Sequence, residues 1–225
     1  MVFEASDHKG DWTRLDWQED AMMLMYGLVN RAIQQMVTTE HGEEVWNRIK
    51  EAADLSDLDF FSTFQAYPDD VTHRLIAAAS EELGLKGEEI MQAFGEYWIT
   101  YTASEGYEQL LESTGETLPE FLDHLDTLHS RAGLSFPQLQ PPSFRCEHAA
   151  NQSMNLEYRS KRQGLAPMVI GLLHGLGKRF QTSVTVEQTA SRDRGDAQDL
   201  FHVHYSKPWA ESDSSCAADD DSPAT

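Results

Sequence analysis

Two patterns of apolar residues divide the chain near residue 141. From about 22 to 133, apolar residues recur every three to four positions, which predicts amphipathic helices. The predicted helices cover about 22–37, 42–53, 69–83, 87–103 and 118–133. After "PP" at 141–142, apolar and polar residues alternate in "SMNLEYRS", "SVTVEQTA" and "DLFHVHYS", which predicts strands. A further apolar helix is predicted at 166–180, between the first two strands.

This change of period predicts an α+β fold, in which a helical N-terminal subdomain precedes a small antiparallel sheet with packed helices. One helix start has a specific signal, the stretch "TLPE" at 117–120. Thr117 is predicted as the N-cap, Pro119 lies in the first turn, and Glu120 stands where a capping box needs it. We therefore expect the last helix of the first half to begin at residue 118.

The charge balance limits the classes of partner. The formal net charge is −21 at pH 7, and the acidic residues are not confined to the ends of the chain. Nucleic acids and anionic membranes both attract basic patches, so we expect neither as a partner. The sequence also lacks an apolar run of 18 residues, which argues against a membrane span. Cys146 and Cys216 lie far apart, which argues against a structural disulfide and fits a cytoplasmic location.

Tyr158, Ser160 and Arg162 alternate within the stretch "YRSKR" at 158–162. On a strand, every second side chain points to the same face, so these three would share one face over roughly 13 Å. Three such donors suit an anion with two carboxylates or a phosphate, and a guanidinium can bind a carboxylate through two hydrogen bonds. The alternative is a solvated polar strand face on which Arg162 pairs with an Asp or Glu.

A single histidine is predicted to point inward from "LPEFLDHLDTLHSRAG" at 118–133. At 100° per residue, His129 falls beside Leu122 and Leu125, whereas His124 lies well off that face. His129 is either a core residue bonded to a backbone carbonyl or a metal ligand. No motif with zinc spacing accompanies it. A lone imidazole together with a site for a dianion suggests haem, which supplies four nitrogen ligands and two propionates of its own.

The order of several sequence blocks resembles the H-NOX family of haem nitric oxide/oxygen-binding domains. The blocks are "MYGLVNRAIQQMV", "GEEVW", "DDVTHRLIAAAS", "FGEYW", "LPEFLDHLDTLH", "PPSFRC", "YRSKR" and "GLAPMVIGLLHGLGKRFQT". The chain is especially similar to stand-alone cyanobacterial members and to the haem domain of the soluble guanylate cyclase beta subunit. The resemblance implies a domain at 25–206 with haem between its subdomains, and it does not explain residues 1–24, which we expect to form a flexible N-terminal extension. The Ser-, Asp- and Ala-rich composition of residues 207–225 predicts an acidic disordered tail.

The resemblance also implies a role for each candidate residue. His129 corresponds to the proximal ligand of the iron of haem b (iron protoporphyrin IX). Tyr158, Ser160 and Arg162 correspond to the residues that hold the haem propionates. Pro142 corresponds to the proline that presses on the porphyrin and distorts it.

Trp98 and Met168 correspond to positions on the distal side, where a gas binds. In oxygen-binding members a tyrosine near the position of Met168 donates a hydrogen bond to dioxygen, and methionine has no such donor. Nitric oxide needs little such help, so the resemblance implies nitric oxide, and also carbon monoxide, as ligands. Trp98 changes this expectation if its indole N–H faces the ligand; otherwise it is a core aromatic beside Phe94 and Tyr101.

The implied function is a gas sensor and not an enzyme. Nitric oxide weakens the iron–His129 bond, the helix that bears His129 is released, and a separate signalling protein such as a histidine kinase or cyclase reads the change. Three alternatives differ from it: an oxygen-binding haem sensor, a haem enzyme acting on peroxide, and a module without haem that binds a phosphate at "YRSKR". The sequence lacks a His–Arg pair placed for peroxide cleavage, which argues against the enzyme.

Overall fold

The computed structural model describes residues 23–149 and 152–206. Helices and a short two-stranded ribbon make up the first half, and a four-stranded sheet with one long helix makes up the second. This order of elements confirms the predicted α+β class. The N-terminal extension expected at 1–24 lies outside the described residues except for Met23 and Leu24, and the tail expected at 207–225 lies outside them entirely.

The helices are α1 (Gly27–His41), α2 (Glu43–Ala52), α3 (Asp69–Leu83), α4 (Gly87–Thr102), α5 (Glu108–Glu112), α6 (Leu118–Asp123), α7 (Leu125–Ala132) and α8 (Ala166–Arg179). A π-helical turn, Ala103–Tyr107, joins α4 to α5. The strands are β1 (Leu24–Tyr26), β2 (Ala66–Pro68), β3 (Ser143–Ala149), β4 (Ser153–Arg159), β5 (Ser183–Ala190) and β6 (Asp199–Ser206).

Local sequence signals account for the ends of α3. The helix begins directly after Pro68 and carries Asp69 and Asp70 in its first turn, where the positive end of the helix dipole favours carboxylates. It ends at Gly84, which adopts the left-handed conformation (φ 64°) that glycine permits. The predicted range 69–83 is therefore correct at both ends.

The first predicted helix begins about five residues too early. Residues 24–26 form β1 instead, which pairs antiparallel with β2 so that Met25 lies opposite Tyr67. The helix α1 begins only at Gly27. A short apolar run satisfies helix and strand patterns equally, and pairing with a segment distant in sequence decides between them.

The helix predicted at 118–133 is interrupted at His124 (φ −103°, ψ 7°), which separates α6 from α7. The Thr117 hydroxyl accepts a hydrogen bond from the Glu120 amide (3.4 Å), as the predicted capping box requires. The Glu120 carboxylate accepts from the Glu116 amide (3.0 Å) instead of from Thr117, so the box is half formed. The break makes α7 a separate helix of eight residues.

The four-stranded sheet has the order β3-β4-β6-β5 and is antiparallel throughout. On its central strands, Met154, Leu156, Phe201 and Val203 are completely buried. Asn155, which points to the other face of β4, is exposed. The period of two predicted from the sequence therefore distinguishes the core face of the sheet from the solvent face.

The helices α4 and α8 cross with their backbones in direct contact. A Cβ atom added at Gly95 would lie 2.2 Å from the Met168 carbonyl oxygen, and one added at Gly171 would lie 2.0 Å from that of Gln92. Only glycine permits this approach, because any Cβ atom would overlap the neighbouring backbone. The crossing holds Trp98 of α4 and Met168 of α8 at a fixed separation.

Buried apolar side chains form two clusters. The first contains residues of α1 to α4 together with Phe136, and the second contains residues of α6, α8 and the sheet. Trp98 packs against both clusters. Within 23–149 and 152–206, none of the helices combines the length and the apolar content needed to cross a bilayer.

We predict that Gly171→Ala lowers the free energy of unfolding by at least about 1–3 kcal/mol, because the added methyl group forces α4 and α8 apart. Gly133→Ala is the matched control. Gly133 has helical dihedral angles, and the atom nearest to an added Cβ, the Ser130 carbonyl oxygen, would lie 3.3 Å away. Denaturant unfolding of both variants checks the prediction. Equal stabilities would mean that the crossing tolerates a side chain.

Candidate functional site

A cavity of about 280 Å³ lies between the two clusters of buried side chains. Its volume is near the lower end of the range for small-molecule pockets. The lining is mainly aliphatic and aromatic, and it comes from the helical half, from the segment between α7 and β3, and from β4 and α8. All the predicted site residues line this cavity: Trp98, His129, Pro142, Tyr158, Ser160, Arg162 and Met168.

His129 reaches the cavity from α7. Its ring stacks on that of Phe144 with a centroid distance of 6.0 Å, and its Nδ1 atom is buried without a hydrogen-bond partner of normal geometry. Burial lowers the pKa of His129, while the Asp126 carboxylate and the Pro142 carbonyl act in the opposite direction. Burial therefore favours the neutral imidazole, which is the form that binds metals.

Asp126 attaches α7 to the sheet, and sequence reasoning missed it. One carboxylate oxygen accepts from the Phe144 amide (2.9 Å) and the other accepts from the Ser143 hydroxyl (3.0 Å). Asp126 lies three residues before His129, so these bonds hold the same face of α7 against the start of β3. No sequence signal indicated this role, because a carboxylate in the first turn of a helix is common on ordinary surfaces.

Tyr158 and Ser160 meet at the cavity, although they do not share a strand. β4 ends at Arg159, so the argument from alternating strand faces holds for Tyr158 and is wrong for Ser160 and Arg162. Burial raises the pKa of Tyr158, and the Ser160 hydroxyl and the Arg162 charge oppose that rise. The phenol therefore remains a hydrogen-bond donor at neutral pH. A turn after the strand, and not the strand itself, brings the predicted residues together.

The Arg162 guanidinium makes four hydrogen bonds within the protein. Nε donates to Asp69 (2.6 Å), and Nη2 donates to Asp69 (3.3 Å) and to the Leu24 carbonyl oxygen (2.9 Å). Nη1 donates to the Gln140 carbonyl oxygen (3.0 Å). The pairing of Arg162 with an acidic residue, considered above only as part of a solvated strand face, is therefore present, but it is buried and the acid comes from α3 in the other half of the fold. Asp69 is only 3% exposed, so this ion pair lies out of the solvent.

Arg192 adds a second guanidinium near this polar end of the cavity. Its Nη1 atom donates to the Ser160 carbonyl oxygen (2.7 Å), and its charge lowers the pKa of Tyr158 against the larger effect of burial. Sequence reasoning missed Arg192 because it lies in a loop between β5 and β6, 30 residues after Arg162 in numbering. Only the folding of the sheet brings the two together.

Trp98 and Met168 contribute to the cavity wall from the crossing of α4 and α8. Trp98 packs between Phe94 (5.8 Å between centroids) and Tyr101 (6.0 Å), as a core aromatic would. Its indole N–H has no protein acceptor in the part of the chain that the structure describes. The two roles considered for Trp98 are therefore compatible, because it is both a packed ring and a cavity residue.

The lining contains a single imidazole and a single guanidinium among the described residues, those of His129 and Arg162. Arg162 is engaged by Asp69 at the polar end of the cavity. The arrangement suits the binding of one mainly apolar group with an acidic edge, and it places a single imidazole beside that group.

Comparisons with known proteins identify the family. The model of the haem-NO-binding family (HNOB) matches residues 26–188. Soluble guanylate cyclase gcy-31 of Caenorhabditis elegans is 33% identical over 164 residues, and gcy-35 of the same organism is 31% identical over 185 residues. The matches cover 72% and 80% of this chain but 23% and 27% of those proteins, so the chain spans about a quarter of the length of these relatives.

Solved structures of H-NOX proteins share the fold. A mutant H-NOX protein from S. oneidensis in the Fe(II) ligation state superposes with a TM-score of 0.76 at 17% identity, covering 82% of this chain and 97% of that one. The same organism's H-NOX protein in the Fe(II)NO state gives a TM-score of 0.74, also at 17% identity, covering 81% of this chain and all of the other. Together with the family match over most of its length, these findings establish that the chain belongs to the H-NOX family of haem-binding gas-sensor domains.

Proposed function

We propose that this protein binds haem b in the cavity and senses nitric oxide, and that carbon monoxide also binds there. The observation that carries the proposal is the convergence of His129 with Tyr158, Ser160 and Arg162 on one apolar cavity. These residues come from two separate parts of the chain, α7 and the stretch 158–162, yet they supply the ligand and the donors that a haem group needs. The proposed domain extends over residues 25–206.

His129 fits the role of iron ligand. Its ring is held by stacking on Phe144 and by attachment of α7 to β3 through Asp126. Its buried Nδ1 atom has no hydrogen bond of normal geometry, although the Pro142 carbonyl acts on it, whereas most buried polar atoms are fully hydrogen-bonded. The neutral imidazole that burial favours is ready to coordinate iron without first losing a proton.

Tyr158, Ser160 and Arg162 fit the role of holding the two propionates. Tyr158 and Ser160 supply hydroxyl groups, and Arg162 supplies positive charge. Four hydrogen bonds within the protein leave the guanidinium one N–H, on Nη1, for a propionate. Binding of a propionate through two hydrogen bonds therefore requires Arg162 to break a hydrogen bond to Asp69 or to a backbone carbonyl oxygen. Arg192 adds positive charge to this end of the site.

When bound, haem supplies a ferrous iron with a position for a diatomic gas, and in the proposed mechanism nitric oxide weakens the bond between iron and His129. The packing of α7 then determines how the protein responds. None of the residues of α7 is fully buried, so Asp126 and the stacking of His129 on Phe144 hold much of this helix in place. Release of His129 frees α7 to shift relative to Pro142, which lines the same cavity and is proposed to press on the haem.

The choice of gas depends on donors near the binding position. Met168 has none, which favours nitric oxide over oxygen. Trp98 supports a second candidate function, oxygen sensing, because its indole N–H lacks a protein acceptor in the described residues and its side chain lines the cavity. We favour nitric oxide because the rings of Phe94 and Tyr101 hold Trp98 in a packed position.

The output of the proposed sensor is a separate protein, such as a histidine kinase or a cyclase, in the cytoplasm. The relatives named above are soluble guanylate cyclases, and this chain corresponds to about a quarter of their length. A partner that binds near α7 would respond to the release of His129. The acidic surface disfavours nucleic acid as an alternative partner.

We predict that His129→Gly abolishes the ferrous haem spectrum of the purified, reduced protein, and that added imidazole restores it. The reason is that the cavity remains while the coordinating nitrogen is removed. His148→Ala is the matched control, because His148 is exposed on β3, pairs with Asp123 and does not line the cavity. Absorption spectra of the three proteins decide the matter, and an unchanged spectrum in His129→Gly would rule out this residue as the ligand.

We predict that Asp69→Asn destabilises the haem-free protein by about 3–5 kcal/mol, because it breaks a buried ion pair. The loss should be smaller with haem bound, since a propionate can then replace Asp69 beside Arg162. Asp70→Asn is the control: its pair with Arg74 is exposed, and such pairs contribute at most about 1 kcal/mol. Denaturant unfolding with and without haem measures both effects. An equal loss in the two forms would place Arg162 away from the propionates.

We predict that the reduced protein gives stable spectra with nitric oxide and with carbon monoxide but no stable oxygen spectrum in air. Met168→Tyr should create one, because a hydrogen bond to a charged group contributes roughly 1.5–3 kcal/mol, or about 10- to 150-fold in affinity. Trp98→Phe should behave like the natural protein. If the natural protein instead binds oxygen and Trp98→Phe loses that binding, the protein senses oxygen through the indole N–H.

A further inference from the structure

Three exposed apolar side chains lie on two loops beside the candidate site. Phe60 (70% exposed) and Phe64 (66%) belong to the loop 53–65 between α2 and β2, and Leu134 (84%) belongs to the segment 133–142 between α7 and β3. We call these three residues the apolar patch. Isolated exposed apolar residues are normal. The stacking of Phe64 on Phe136 shows that the two loops adjoin, and three large exposed apolar side chains on adjoining loops indicate an interaction surface.

Contacts through Phe136 connect the apolar patch to the cavity. Phe136 lines the cavity and packs edge-on against Tyr26 (4.7 Å between centroids), which also lines it. The ring of Phe64 stacks on Phe136 at 5.5 Å with an interplanar angle of 22°. One buried ring thus contacts both the cavity and the exposed patch, so a change at either place can alter the packing at the other.

The patch also adjoins the end of α7. The Gly133 amide donates to the His129 carbonyl oxygen (2.9 Å), and the Phe136 amide donates to that of Ala132 (3.1 Å). Leu134 therefore follows the helix without a flexible connection. A shift of α7 must move Leu134 relative to the loop that carries Phe64, which changes the shape of the patch.

Charge on the two loops points to the chemistry of what binds there. The loop 53–65 contains Asp54, Asp57 and Asp59, all exposed, and no Lys or Arg of its own. Three basic side chains from outside the loop donate only to its carbonyl groups and the Thr63 hydroxyl, and two of them pair with acids elsewhere: Arg31, Lys50 and Arg74. The segment 133–142 contains no charged residue. An apolar surface beside three carboxylates complements an amphipathic helix that has large aliphatic residues on one face and lysine or arginine at the edge of that face.

We propose that the apolar patch docks a cationic amphipathic helix of a partner protein. The further role of this contact, reading the position of α7, rests on the sensor function proposed above. A second copy of this chain is a poor occupant, because the net charge of −21 opposes association of the chain with itself. The docked helix buries Phe60, Phe64 and Leu134 and sets its basic residues against the carboxylates of the loop 53–65.

The probe is a fluorescein-labelled helical peptide of leucine and lysine with its leucines on one face, and its control replaces lysine by glutamate. Fluorescence anisotropy measures binding to the full-length ferrous protein. We expect Phe60→Ser/Phe64→Ser/Leu134→Ser and, separately, Asp57→Asn/Asp59→Asn to weaken binding at least about tenfold. These substitutions alter exposed side chains, and circular dichroism and the haem spectrum confirm folding.

A matched control comes from the loop after α3. Leu85 is also exposed (43%), and the exposed residues Glu81 and Glu88 flank it in sequence. Leu85→Ser and Glu81→Gln/Glu88→Gln should leave binding within twofold of the natural protein. Equal weakening by these controls, or binding that survives the patch variants, would overturn the proposal in favour of non-specific attraction to an acidic protein.

Two other occupants are distinguished by the same variants. If sedimentation velocity reveals a dimer that the triple patch variant dissociates, the occupant is a second copy. If Trp12→Ser/Trp17→Ser in the full chain tightens peptide binding about tenfold, the occupant is the chain's own N-terminal segment. Either result would overturn the partner-helix proposal.

Addition of nitric oxide to the peptide complex tests the reading role separately. We expect the peptide affinity to change at least threefold, with nitric oxide binding followed by absorbance in the same sample. Peptide binding without any absorbance change would contradict the proposed sensor function and leave the docking surface intact. An absorbance change with unaltered affinity would show that the patch binds a helix but does not report the state of the cavity.

Discussion

The ion pair between Arg162 and Asp69 is the interaction on which the arrangement of the two halves depends. Both groups are almost removed from solvent, and the guanidinium also binds the backbone of β1 and of the segment before β3. Taking two charges out of water is costly, so the pair is stable only because nearly every N–H group finds an acceptor. The cavity lies between elements that this one side chain ties together, and its width depends on that connection.

In the proposed haem complex, a propionate competes with Asp69 for the Arg162 guanidinium, because both groups are carboxylates. This competition couples the binding of the cofactor to the separation of the subdomains, since any bond that Arg162 gives to one partner weakens its hold on the other. The same polar end contains Arg192 and the protonated Tyr158, which moderate the competition by offering a propionate other partners. Most donors at the polar end are therefore already occupied by protein acceptors, and a propionate would have to displace some of these bonds.

Sequence reasoning predicted the parts of this molecule that depend on local chemistry. The ends of α3 follow from Pro68, two aspartates and Gly84, and the strands β4, β5 and β6 follow from alternation of polar and apolar residues. It failed where distant segments decide the outcome. β1 exists because it pairs with β2, and the break at His124 depends on contacts of the side chain with a preceding loop. The predicted residues of "YRSKR" meet through a turn, which a strand pattern does not reveal. The pairing of Asp69 with Arg162 and the roles of Asp126 and Arg192 carry no sequence signal, because a charged residue with a structural role cannot be distinguished in the sequence from one on an ordinary surface.

The direct contact of α4 with α8 divides the molecule into a stiff part and a compliant part. Where two backbones touch, no side-chain rotamers intervene that could rearrange to absorb a displacement. Trp98 and Met168 must therefore move together or not at all. The opposite holds for α7, which has eight residues, none of them fully buried. Strain that arises inside the cavity will consequently relax on the side of His129. In the proposed sensor, the side chains of the stiff wall would select the gas and the weakly packed α7 would move in response.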